Sequence, residues 1–136
     1  MNQEKYLHQD LAEEIIKSFY NVYNELNYGF LEKVYLNAML IELKDNNLIA
    51  QSEKPINIYY KNHVVGIYFP DIVVNDTILI ELKAVEILED KHVIQMINYL
   101  KVSKYEVGLV LNFGKSPEIN RKIYTNDRKK YILLPI

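Results

Sequence analysis

The sequence predicts one α/β domain of the α+β kind across residues 1–136, on three observations. Apolar residues recur at helical spacing over the first third, β-branched and aromatic residues crowd 49–84, and helical spacing returns at 89–101 before further strand-like segments. A length of 136 residues suits a single hydrophobic core.

Leu7, Leu11, Ile15, Phe19, Val22 and Leu26 recur at steps of three and four, which predicts an amphipathic helix ended by Asn27 or Gly29. Leu31, Val34, Tyr35, Ala38 and Ile41 predict the inward stripe of a second helix that continues through Leu43 and breaks in the Lys-Asp-Asn-Asn segment at 44–47. Turn signals at Lys61-Asn62, Gly66 and Asn75-Asp76 divide 49–84 into a meander of three or four strands. Segment 77–80 is apolar on both faces, as expected of a central strand covered on both sides. A covering helix follows at about 89–102, with Val93, Ile94, Ile97 and Leu100 expected to face inward. Segment 106–113 reads as a buried strand closing at Gly114, with short strands at 122–124 and 131–134. The expected sheet is mixed, with four to five strands.

Hydrophobic residues make up 49% of the chain and charged residues 25%, the ordinary globular balance. No apolar run approaches the roughly twenty residues that cross a bilayer, so no membrane association is expected. The opening MNQEKYLHQD lacks the basic start and apolar run of a secretory leader, so a cytoplasmic location is expected. The absence of cysteine removes disulfides, thiolate nucleophiles and zinc-thiolate sites, which leaves oxygen or histidine to hold any metal.

Charge is segregated along the chain. Residues 1–90 carry 7 basic and 15 acidic side chains, and residues 91–136 carry 9 basic and 3 acidic. Lys101, Lys104, Lys115, Arg121, Lys122 and the basic run 128–130 are candidates for a phosphate footprint, or simply a solvated lysine face.

The chemistry concentrates at 69–83. Glu81 and Lys83 stand two apart where an apolar strand ends, so both point to one face. Asp71 joins them only in one register. A two-residue loop at Asn75-Asp76 would set Asp71 opposite Ile80, whereas a three-residue loop, 75–77, or a bulge sets it opposite Glu81. We expect the latter. Two adjacent carboxylates repel, a lone lysine offsets them only in part, and a hard cation, Mg2+ or Mn2+, is the natural bridge. The bland alternative is an ordinary cross-strand ion pair.

Pro70, Asp71, Glu81, Leu82 and Lys83 resemble the PD-(D/E)xK nuclease signature, and Gly29, Glu32 and Tyr35 match the GxxExxY signature of one branch of that superfamily. The likeness continues through Tyr59-Tyr60-Lys61, 81–86, 95–101 and 107–114. It departs at Asn27, where a second glycine often stands. The resemblance implies a restriction-endonuclease-like core, with Glu32, Asp71 and Glu81 as metal ligands joined by the Leu82 carbonyl. It also implies that Lys83 positions the attacking water and that Gln95 and Tyr99, as the Q-x-x-x-Y pair, act in catalysis. On the helical wheel Glu32 lies at the rim of the apolar stripe beside Tyr35 and Met39; a first-turn glutamate favoured by the helix dipole would look the same. Tyr99 could equally be core and Gln95 a neutral helix former. His8, His63 and His92 lack ligand spacing.

The implied function is metal-dependent hydrolysis of phosphodiester bonds in nucleic acid, with DNA the expected partner. The other readings are a binding module that retains the nuclease fold and a small-molecule phosphoesterase. The small size suggests that a homodimer or larger partner completes the substrate groove.

Overall fold

In the computed structural model, which describes residues 6–129, helical spacing gives α1 (Gln9–Leu26) and α2 (Glu32–Asp45). Strands β1 (Ala50–Gln51), β2 (Ile56–Tyr60), β3 (His63–Tyr68), β4 (Ile72–Val74) and β5 (Ile78–Lys83) follow. Helix α3 (Asp90–Lys101) then leads to β6 (Val107–Phe113) and β7 (Pro117–Ile123).

Five strands form one mixed sheet in the order β1-β4-β5-β6-β7, with β5 and β6 parallel and the other pairs antiparallel. The α+β fold and mixed sheet are those expected. The segment 49–84 is not one meander, however: β2 and β3 pair only with each other, as a separate two-stranded sheet. β7 is longer than the expected strand at 122–124, because Ile119 and Ile123 pack on the core between polar neighbours. The expected strand at 131–134 lies outside the described residues.

β5 is the centre of the sheet. Ile78, Ile80 and Leu82 pack into one cluster with Ile15, Phe19, Tyr35 and Met39 of the two N-terminal helices. Leu79, on the opposite face, packs with Val73, Met96, Leu100 and Tyr68 beneath α3 and the β2–β3 hairpin. These two apolar layers are the main source of stability and hold the charged ends of β4 and β5 in place.

Two helical faces are rotated from their expected positions. α2 buries Tyr35, Met39 and Leu43, while Leu31 is 80% and Ile41 63% exposed. α3 buries Met96 and Leu100 and leaves Ile94 55% exposed. Apolar residues surround much of both helices, so spacing alone admits several stripes, and the contact with the sheet selects one. On α3 the selection is steric: Gly108 of β6 leaves room for Met96, where a Cβ would overlap the Met96 side chain.

Candidate active site

The register of β4 against β5 builds the site. Val74 pairs with Ile78, Val73 with Leu79 and Ile72 with Ile80, so the connection is the three-residue loop 75–77. Asn75 and Asp76 take positive φ, 50° and 48°, a conformation in which Asn and Asp are the best tolerated residues after glycine. Thr77 donates its hydroxyl to the Asn75 carbonyl at 2.7 Å and tightens the turn. One further step along the ladder sets Asp71 opposite Glu81, on the face that carries Leu79.

Asp71 Oδ2 accepts a hydrogen bond from the Leu82 backbone N–H at 2.7 Å. The N–H and C=O of one strand residue point to the same side, so the Leu82 carbonyl also faces the Asp71 edge, beyond the start of β4. Glu81 accepts a hydrogen bond from the Tyr68 hydroxyl. The Tyr68 ring stacks on Tyr99, with centroids 3.4 Å apart and planes at 11°. A hydrogen bond from Gln95 engages the Tyr99 hydroxyl in turn. Asp71, Glu81, Tyr68, Tyr99 and Gln95 thus form one contiguous group, with Lys83 close enough to act on Glu81.

Burial pushes the Glu81 carboxyl up to about 8, the Asp71 charge and a hydrogen bond with Asp71 add to the rise, and the Tyr68 hydrogen bond and the Lys83 ammonium oppose it. Burial also raises Tyr68 and Tyr99, with the Glu81 charge next in order for both, which keeps their hydroxyls protonated and able to donate.

The loop after Lys83 is tied to β6. The buried Asn112 side chain accepts from the Val85 N–H at 3.0 Å and donates to the Val85 carbonyl at 2.9 Å, in the manner of a short strand. Gly114 lies so close that a Cβ would meet the Val85 carbonyl at 2.6 Å. Lys83 is thereby held at the end of a rigid strand.

Glu32 stands apart. It is exposed at the first turn of α2, in the layer on the opposite face of the sheet. Among the described residues no three or more His, Cys, Asp or Glu side chains gather as a metal cage. Glu32 is nonetheless at the correct end of the sheet: Tyr35, one turn on, stacks on Phe113 of β6 at 4.1 Å, and Phe113 follows Asn112, the partner of Lys83. His92 accepts from the Glu89 N–H as part of a capping box for α3, which accounts for it structurally.

Tyr68 was not among the residues singled out by sequence. Its position three before Asp71 is the only signal, and the hairpin's attachment to the main sheet face gives that position its meaning. Several basic candidates of the C-terminal third have partners within the described chain. Lys104 pairs with Asp76, Arg121 donates to the Leu7 carbonyl, and Lys129 to the Ser103 and Tyr105 carbonyls. Lys101 and Arg128 lie over the Tyr124 ring.

Two carboxylates and an amine thus stand together at the ends of paired strands, in an α+β sheet flanked by helices. The chain belongs to the PD-(D/E)XK nuclease superfamily, whose family model matches residues 9–122. No curated protein and no solved structure matches it. No helix among the described residues is long and apolar enough to cross a membrane.

Proposed function

We propose that this chain, 1–136, is a single nuclease domain of the GxxExxY branch that hydrolyses phosphodiester bonds of nucleic acid with Mg2+ or Mn2+. The observation that carries the reading is the pairing of Asp71 with Glu81 on one face beside Lys83. The donor set fits a hard divalent cation: two carboxylates and the Leu82 carbonyl are all oxygen, and the pair otherwise needs a proton to relieve its repulsion. Glu32, exposed on the helix layer across the sheet, is not counted in this set. Such a cation supplies charge neutralisation at the phosphate and acidifies a water.

The remaining work falls to side chains. Asp71, held by the Leu82 N–H, and Glu81, held by Tyr68, keep their oxygens oriented. Lys83 steadies the attacking water and the negative charge that grows on the phosphate. Gln95 and Tyr99 orient that water or a phosphate oxygen from the helix above. DNA is the partner we favour, in the cytoplasm, where a cysteine-free chain has no disulfide to maintain. A homodimer would bury the exposed Val64, Val65 and Ile67 of β3.

The test is hydrolysis of DNA, RNA and nucleotides with each metal. Cleavage should be lost in Glu81→Ala, in Lys83→Ala and on chelation, with the circular dichroism spectrum of each variant unchanged. A wild-type protein that cleaves none of these substrates with either ion overturns the reading. Light scattering checks the dimer.

A further inference from the structure

Solvent-facing aromatic rings stand on two segments that adjoin the strand residues of the acidic pair. Phe69, 56% exposed, lies between the buried Tyr68 and Pro70, two residues before Asp71. The loop between α1 and α2 presents Tyr28 and Phe30, 53% and 48% exposed. Tyr28 and Gly29 line a cavity of about 170 Å³ whose other walls include Ala84, Val85 and Glu86, the three residues after Lys83, with Lys115 at its rim. The cavity is built, since Asn112 anchors Val85 and only a glycine fits at 114.

Charge selects what such a surface would hold. A protein that tracks a duplex neutralises many phosphates with a broad basic face. Among the described residues, Lys104, Arg121 and Lys129 are engaged with other groups, and Lys104 and Lys129 sit around Ser103 and Tyr105, at the end where β5 and β6 begin. Glu81 and Lys83 are at the end where β5 finishes. Few cations and several open rings suit unpaired bases, which stack on aromatic faces whatever their sequence and gain about 1–3 kcal/mol each.

We propose that the substrate is single-stranded nucleic acid, with one base stacked on Phe69, a neighbouring base at the Tyr28 cavity, and the phosphate between them presented to Glu81 and Lys83. This rests on the nuclease reading above and names its substrate class.

The experiment measures fluorescence anisotropy of short labelled single-stranded DNA, single-stranded RNA and duplex DNA of one sequence, with Ca2+ in place of Mg2+. Single strands should bind about tenfold more tightly than duplex. Tyr28→Ala and Phe69→Ala should each weaken single-strand binding about tenfold, with duplex binding unmoved, and Tyr28→Phe and Phe69→Tyr should restore it. Both positions are exposed, so folding is retained, as circular dichroism will check. Duplex bound as tightly as single strands, or alanine variants that bind like the wild type, overturns the proposal while leaving the nuclease reading intact. Alanine variants that change only the oligomeric state would make the rings a protein interface, which also overturns it. If the wild type neither binds nor cleaves any nucleic acid, the nuclease reading fails first and takes this proposal with it.

Discussion

The Tyr68 hydroxyl donates a hydrogen bond to Oε1 of Glu81, joining the last residue of the two-stranded hairpin to the central strand of the main sheet. Each member of the carboxylate pair therefore has its own donor: the Leu82 N–H for Asp71 and Tyr68 for Glu81. In the proposed metal-dependent reaction, these donors would orient the two ligands.

Removing this donor should weaken metal binding without unfolding the chain. Tyr68→Phe keeps the ring stacked on Tyr99 but deletes one of the two influences that hold the Glu81 pKa down. The expected result, by isothermal titration calorimetry with Mn2+ near neutral pH, is about a tenfold loss of affinity. An affinity equal to that of the wild type would sink the assignment.

Stability of the metal-free protein should fall as pH rises. The Glu81 carboxyl is raised from 4.5 to about 8, chiefly by burial and then by Asp71, so the folded state binds this proton more tightly than the unfolded chain. Its contribution is complete below about 4.5 and is lost as pH climbs toward 8. Urea unfolding across that window should show the slope, and Glu81→Gln should flatten it. A divalent cation displaces the same proton, so its affinity should rise with pH up to about 8.

Asn27→Gly should stabilise the protein. Asn27 ends α1 at φ 59°, ψ −163°, a region that essentially only glycine occupies without strain. It is held there because its N–H bonds the Tyr23 carbonyl at 2.7 Å and its C=O accepts from the Tyr35 hydroxyl at 2.6 Å. Relief of about 1–3 kcal/mol, less the extra unfolded freedom of glycine, leaves a gain of about 1 kcal/mol. Thermal melting should show this rise, and Asn27→Ala should show none. Here the departure from the glycine often found at this position becomes a measurable strain.

Asp76 offers a control remote from the chemistry. At the β4–β5 turn it accepts hydrogen bonds from Lys104 at 2.7 Å, Lys54 at 2.8 Å and Tyr105 at 2.6 Å. The Lys104 bond, then those of Lys54 and Tyr105, hold its carboxyl well below the usual range. The lowered pKa means this support is present above about 3.8 and lost as pH falls below it. The lysine pairs are half exposed and worth little, so Asp76→Ala should cost about 1–2 kcal/mol, mostly through Tyr105. Chemical denaturation measures it; the rate of hydrolysis per folded molecule should not change.

Legibility in the sequence tracked how local each feature is. Asp71, Glu81 and Lys83 could be placed together because strand alternation and loop length depend on neighbours in the chain. The inward faces of α2 and α3 could not, because Leu31, Ile41 and Ile94 satisfy helical spacing as well as the residues that are buried. The basic residues after 90 suggested an open phosphate surface, yet composition cannot show that Lys104 meets Asp76 across 28 positions or that Lys129 reaches back to Ser103 across 26.

By itself, the sequence determined the fold class and the acidic and basic groups at the ends of β4 and β5, since periodicity and turn chemistry act over a few residues. Only the tertiary structure decided that Tyr68 holds Glu81, that Glu32 sits on the helix layer across the sheet, and that the Tyr68 ring stacks on Tyr99. Those relations arise from which surfaces bury one another, a contest among distant segments that no local pattern encodes.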